Sequence, residues 1–231
     1  MSASTLAVFF DVDFTLIYPG PAFQGEGYQA FCNRHGIDAD PARFPAAVIS
    51  ASHILDREQD AVYNPQIFVD YTAHIIRAMG GSGAAVEECA TEIYREWASC
   101  QHFLLYDDVP GSLEALSGNN ILIGLISNSH RSLDAFQEHF ELDGLIDVAV
   151  SSSEHGYMKP HPSIFHAALK LAGVSAGDAV MVGDSVTQDI EGARGVGMRA
   201  VLVRRSAAGD STIGMDVPVI RTLTELPELL P

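Results

Sequence analysis

Five short apolar runs, Leu6–Phe10, Ile121–Ile126, Val148–Val150, Ala179–Val182 and Ala200–Val203, do most to limit what this chain can fold into. Rich in Val, Ile and Phe, they read as strands buried on both faces, the kind found in parallel sheets. Helical patterns lie between and after them at Leu133–Phe140, Ser163–Ala172 and Asp189–Val196. Such alternation predicts an α/β fold, a doubly wound parallel sheet with helices on both faces. A late run, Val217–Ile220, offers an edge strand.

From about Pro19 to Leu105 the rhythm changes. Helix-like stretches at Ala22–His35, Pro65–Met79 and Ala84–Cys100 are separated by Gly36-Ile37-Asp38, Pro41–Pro45 and Gly80-Gly81-Ser82-Gly83. No convincing strand lies among them, which predicts a small all-helical domain inserted after strand one. The core is then 1–17 with 106–231, and the insert is 18–105. A length of 231 residues suits one core plus an insert, at about 150 residues per domain.

Thirty Asp and Glu against thirteen Lys and Arg give a net charge of −17. That balance argues against a nucleic acid or an anionic membrane as partner. No stretch approaches the roughly 18 apolar residues of a membrane span. The run Leu6–Phe10 leads straight into Asp11 without a basic flank, unlike a signal peptide. Cys32, Cys89 and Cys100 form no CxxC pair, so neither a disulfide framework nor a zinc site is indicated, and a cytoplasmic setting is expected. Oligomeric state is not legible. An acidic chain that takes an anionic substrate must draw it in with local positive charge, which means a bound cation and a lysine.

The residues able to do chemistry stand at strand ends, where open α/β sheets bind ligands. Asp11 and Asp13 follow the first run two residues apart, so both carboxylates can face one site. Their mutual repulsion calls for a divalent cation, and Mg2+ suits carboxylates, water and phosphate. Ser127 and Asn128 close the second run and offer a hydroxyl, an amide and backbone N–H groups as an oxyanion cradle. Lys159 stands before Pro160, in a loop stiffened by Pro160 and Pro162. Gly183 and Asp184 end the fourth run, with Asp189 five residues on. Gly183 lets backbone approach a ligand, and Asp184 supplies a metal oxygen. Asp189 has three candidate roles: capping its helix, bracing Lys159, or meeting the water shell of the metal. Together these parts suit hydrolysis of a small phosphorylated metabolite. Asp11 is the nucleophile, Asp13 the acid and base, and Lys159 the neutralising cation.

In order and type these motifs resemble the haloacid dehalogenase (HAD) superfamily, in its phosphatase-like branch with a helical cap inserted after the first motif. Asp11-Val12-Asp13-Phe14-Thr15 looks like the DxDxT signature, Ser127 like the second motif, Lys159 like the third, and Gly183-Asp184 with Asp189 like the fourth. The resemblance implies a Rossmann-like core and an aspartyl-phosphate on Asp11. It implies magnesium on the Asp11 side chain, the Asp13 carbonyl and Asp184, with Ser127, Asn128 and Lys159 holding phosphate. Thr15 would orient Asp13 or the turn after strand one. Phe14 departs from the pattern, since many phosphatases of the family carry Gly there. The dehalogenase branch lacks the second Asp, so Asp13 argues against dehalogenation. A sugar phosphomutase keeps both carboxylates and is the alternative enzyme. A phosphorylatable binding module resembling a receiver domain is the alternative from another class, but it lacks the insert and is about half this length.

Gly192, Gly195 and Gly197 follow a helical pattern rather than a strand, so they mark a helix end and not a dinucleotide loop. His155 and His161 flank Lys159 without metal-ligand spacing. Phe23, Gln24, Tyr28, Tyr63 and Trp97 of the insert are candidates for pocket lining, with helix packing the expected role of most.

Overall fold

The computed structural model describes residues 5–55, 62–205 and 216–230. Its strands are β1 Ala7–Phe10, β2 Ile17–Pro19, β3 Phe103–Leu105, β4 Leu122–Ser127, β5 Val148–Ser151, β6 Ala179–Gly183, β7 Arg199–Val203 and β8 Val219–Ile220. Six of them form one sheet in the order β5-β4-β1-β6-β7-β8, and every pairing in it is parallel. The expected α/β fold is therefore present, and Val219–Ile220 is its edge strand. Strands β2 and β3, which the sequence reading did not identify, pair with each other.

Contacts within the chain define two compact units, Met1–Tyr18 with Leu105–Pro231, and Pro19–Leu104. Among the described residues, the second unit holds the α-helices α1 Gly25–Arg34, α2 Phe44–Leu55, α3 Pro65–Ala78 and α4 Val86–Glu96. Helix α2 corrects the reading of Pro41–Pro45 as a plain break. Asp40 accepts from the Ala42 N–H and caps a turn at Pro41–Arg43. Pro45 then falls in the first turn of α2, where no backbone N–H is needed. Phe23, Tyr28 and Trp97 pack inside this unit. Phe23 is 2% exposed, with the Trp97 and Phe103 rings centred 4.6 and 5.4 Å away. The hydroxyl of Tyr63 meets that of Tyr94 at 2.6 Å.

In the first unit the helices are α5 Val109–Gly118, α6 Leu133–His139, α7 Ser152–His155, α8 Pro162–Ala172 and α9 Gly192–Gly195. Helix α5 was not apparent from sequence, and the pattern at Asp189–Val196 resolves into a π-helical turn, Val186–Glu191, followed by α9. Ala7 and Phe9 of β1 join Met181, Ile164, Phe165 and Leu169 in one apolar cluster. Val8 and Phe10 alternate to the opposite face and are fully buried as well. Burial on both faces is why β1 reads as an unbroken apolar run. Gly124 is part of this fit, because a Cβ there would strike the ring of Phe9. Gly124→Ala should cost about 1–3 kcal/mol of stability by overpacking, measured as a lower denaturant midpoint at unchanged slope.

Candidate active site

β1 is flanked by β4 and β6, so their carboxyl ends bring Asp11, Ser127 and Asp184 to one edge of the sheet. β1 is also where the strand order reverses direction, the place where a crevice opens in such sheets. The N–H of Asp11 bonds to the Val182 carbonyl at 2.9 Å, which carries the β1–β6 ladder into the site and fixes Asp11 at its centre.

Lys159 is buried against this residue. Its Nζ lies 2.6 Å from Asp11 Oδ1, 2.7 Å from the Ile126 carbonyl and 2.7 Å from Asp189 Oδ1. Burial alone would push the ammonium pKa down, but the charges of Asp11 and Asp189 outweigh it and raise it. Lys159 is thus a fixed positive charge at neutral pH. Asn128 holds its loop from both sides: Oδ1 accepts from the Lys159 N–H at 2.7 Å, and Nδ2 donates to the Lys159 carbonyl at 2.9 Å and to Gln188 Oε1 at 3.2 Å. The Asn128 amide thus faces the Lys159 loop. Its side chain is committed to Lys159 and Gln188, and any contact with an anion falls to its backbone N–H. Ser127, by contrast, keeps a buried hydroxyl with no hydrogen-bond partner among the described residues. Buried donors are normally satisfied, and this one is available to a ligand oxygen.

Gly183 has a more specific role than a permissive turn. A Cβ at this position would run into the Asp189 carboxylate, so glycine makes room for that carboxylate at the end of β6. Asp189 Oδ2 accepts from the Ser185 N–H at 3.0 Å while Oδ1 meets Lys159. Of the three roles open to it, capping the turn and bracing Lys159 are both realised. Asp184 stands between β6 and this turn, its carbonyl accepting from Arg204.

Carboxylate oxygens of Asp11, Asp184 and Asp189 all lie within 4.8 Å of one another. Burial is the first cause raising the pKa of each: Asp11 is raised, Asp184 is raised well above the usual carboxylate range, and Asp189 goes to about 6. One ammonium facing three carboxylates leaves the pocket short of positive charge. An all-oxygen donor set in that condition fits a hard divalent cation of the magnesium type. Asp11 and Asp184, the two side chains of the expected metal set, converge here with Asp189; the third expected contact is the Asp13 carbonyl. Asp13 turns its carboxylate to Arg131, Oδ1 to Nη1 at 3.0 Å, so any share of Asp13 in a metal site belongs to its backbone carbonyl.

Of the two roles implied for Thr15, orienting Asp13 or the turn after β1, its contacts fall on the turn. Its hydroxyl has no hydrogen-bond partner among the described residues, and it is the Thr15 carbonyl that is held, by Arg205 Nη2 at 2.6 Å and Nε at 3.2 Å. Arg205 also pairs with Asp108 at 2.6 Å, which fastens the turn after β1. Within that turn Phe14 has φ +65°, a left-handed conformation that glycine adopts without strain. His155 and His161 share the Ser163 hydroxyl, each at 2.8 Å, and contribute no metal cluster among the described residues. Arg131, Arg205 and Gln188 were missed by sequence reasoning. Nothing local separates them from solvated polar residues, which is the ordinary state of such side chains.

No helix among the described residues is long and apolar enough to cross a membrane. The family model of haloacid dehalogenase-like hydrolases matches residues 5–197. Haloacid dehalogenase-like hydrolase domain-containing protein 3 of Bos taurus is 31% identical over 147 residues, covering 64% of this chain and 59% of that protein. N-acylneuraminate-9-phosphatase of Rattus norvegicus is 32% identical over 152 residues, covering 64% of this chain and 61% of that enzyme. The chain thus matches less than two thirds of the length of either relative. Among solved structures, a HAD phosphatase from Thermococcus onnurineus is 27% identical, with a TM-score of 0.66 over 96% of both chains. With the sheet, the four motif positions and a family match over most of its length in agreement, the chain belongs to the haloacid dehalogenase-like hydrolases and is an enzyme of that family.

Proposed function

We propose that this hydrolase is a magnesium-dependent phosphatase that releases phosphate from small phosphate monoesters through an aspartyl-phosphate on Asp11. The observation that carries this reading is the convergence of Asp11, Asp184 and Asp189 beside the buried Lys159, next to a Ser127 hydroxyl with no hydrogen-bond partner among the described residues. Asp11 Oδ1 is occupied by Lys159, so its second oxygen is the one aimed at phosphorus. Lys159 and Ser127 offset charge on the phosphoryl oxygens, and that is where most barrier lowering in phosphoryl transfer arises. Asp13 gives a proton to the leaving oxygen and then takes one from water. Asp11, Asp184 and Asp189, the last directly or through water, would hold the magnesium ion. Bound there, the ion supplies positive charge toward the phosphate. The similarity to N-acylneuraminate-9-phosphatase of Rattus norvegicus supports the class of reaction. The helical insert is proposed as a cap that selects the substrate, and a reducing compartment fits three buried cysteines, none of them in a disulfide.

The test is phosphate release from a panel of small phosphate esters, sugar phosphates included, with and without magnesium. Metal-dependent release supports the reading. Folded protein that binds magnesium yet releases nothing overturns it and favours phosphoryl return to a sugar.

The carboxyl pKa values add a thermodynamic prediction. Asp189 holds its proton up to about pH 6 in the folded protein, whereas an unfolded Asp loses it near 3.9. Between those values the folded state binds more protons, so without metal this group makes stability fall as pH rises from about 4 to about 6. A divalent cation replaces the missing protons. Magnesium at about 100 times its Kd should raise Tm by roughly 5–10 °C at pH 7.5, and distinctly less at pH 5. An equal gain at both values would contradict this account of the pocket.

A further inference from the structure

Beside the reacting groups lies one further ion pair, between Arg131 and Asp13. The side chain of Arg131 is fully buried, and its Nη1 lies 3.0 Å from Asp13 Oδ1. Arg131 and Asp13 are 118 positions apart in the chain, and two loops have to be held in place for them to meet. On one side, the Arg131 N–H donates to Ser129 Oγ at 2.8 Å, and Ser132 caps α6 through the Ala135 N–H. That rigid segment is the continuation of Ser127 and Asn128. On the other side, the turn bearing Asp13 is closed by the Phe14 N–H on the Ile17 carbonyl at 2.7 Å. Burying a guanidinium is costly unless a counter-charge meets it, so a chain that places one here gains something by it.

The geometry points to Arg131 as the positioning residue of the acid and base. It grips Oδ1 of Asp13, fixes the carboxyl plane and leaves Oδ2 directed at the reacting oxygens. It also keeps the Asp13 carboxylate out of the Asp11, Asp184 and Asp189 cluster. A guanidinium suits this task because it never gives up its own proton, and so it orients a proton donor without competing with it. This inference rests on the phosphatase reading. In the first step, an oxygen of Asp11 bonds to phosphorus as the ester P–O bond breaks, and the leaving oxygen takes the proton from Asp13. In the second, water attacks phosphorus, Asp13 takes its proton, and the Asp11–phosphorus bond breaks to release phosphate. Arg131 touches neither phosphorus nor the leaving oxygen and acts only through Asp13.

The experiment is kcat/KM for Arg131→Met and Arg131→Lys across esters whose leaving groups run from nitrophenol to simple alcohols. A nitrophenolate departs without a proton, whereas an alkoxide requires one. In wild type, Asp13 supplies that proton and the dependence on leaving-group acidity is shallow. In Arg131→Met the ratio of alkyl to nitrophenyl kcat/KM should fall by about 10- to 100-fold, the scale of a displaced general acid. Arg131→Lys should recover part of it. Asp13 is not fully buried, so water can solvate it when Met replaces the guanidinium, and folding should survive. If Arg131→Met does not fold, the lysine variant and the pair Asp13→Asn with Asp13→Asn/Arg131→Lys still decide, since the second change should add nothing once Asp13 is gone. A uniform loss across the series, or a further loss on top of Asp13→Asn, overturns the assignment. Failure of wild type to release phosphate from any ester would instead remove the phosphatase reading itself.

Discussion

Asp11→Asn should lower phosphate release by on the order of 10⁴-fold or more while leaving the protein folded. An amide cannot attack phosphorus, so the covalent route closes. The change should be mild for the fold, and the site geometry gives the reason. Lys159 keeps its ion pair with Asp189 at 2.7 Å, and an Asn oxygen still accepts from its ammonium. The substitution also takes one charge from a cluster of three carboxylates whose pKa values are already raised by burial. Tm without metal should therefore stay within a few degrees of wild type or rise, and magnesium affinity should fall with the lost ligand charge. Acid-quenched wild type should carry phosphate on the peptide containing Asp11, and the variant should carry none. Survival of most of the activity in Asp11→Asn would sink the covalent mechanism.

How much of this was legible in the sequence depended on what each residue's chemistry requires locally. β1, β4 and β6 are buried on both faces, and such strands announce themselves as unbroken apolar runs. The residues at their ends could therefore be located and gathered into one site. Roles that depend on side-chain direction could not be read in this way. Asn128 is correctly placed at the strand end, yet its amide turns to the Lys159 backbone, a partner 31 positions away. Asp189 offered several roles because one carboxylate can cap a turn, pair with an ammonium and approach a metal. The turn of the Asp13 carboxylate toward Arg131, 118 positions away, is signalled by nothing near either residue. Helix α2 was hidden by two prolines that normally break helices and here stand where a helix tolerates them.

Lys159→Met should be the most damaging single change to both stability and activity. The substitution leaves Asp11 and Asp189 facing each other in a buried pocket without their shared cation, and removal of one partner from a buried pair costs about 3–5 kcal/mol. For a chain of this size that is a Tm drop of roughly 6–20 °C at pH 7.5. The wild-type contribution has a definite sign. The pKa of Lys159 is raised in the folded protein, so its stabilisation is fully present below the unfolded value of about 10.4 and is lost only as pH rises beyond it. Wild type and variant should consequently diverge across the whole neutral range. The gap should narrow toward pH 5, where the orphaned carboxylates relieve the variant by taking up protons. Magnesium should recover part of the stability at pH 7.5, since a divalent cation can meet the same carboxylates. It should not recover turnover, because the phosphoryl oxygens would still lack the ammonium. Equal Tm values for the two proteins at pH 7.5 would show that Lys159 does not hold this pocket together. Activity restored by magnesium alone would show that its charge is dispensable in the transition state.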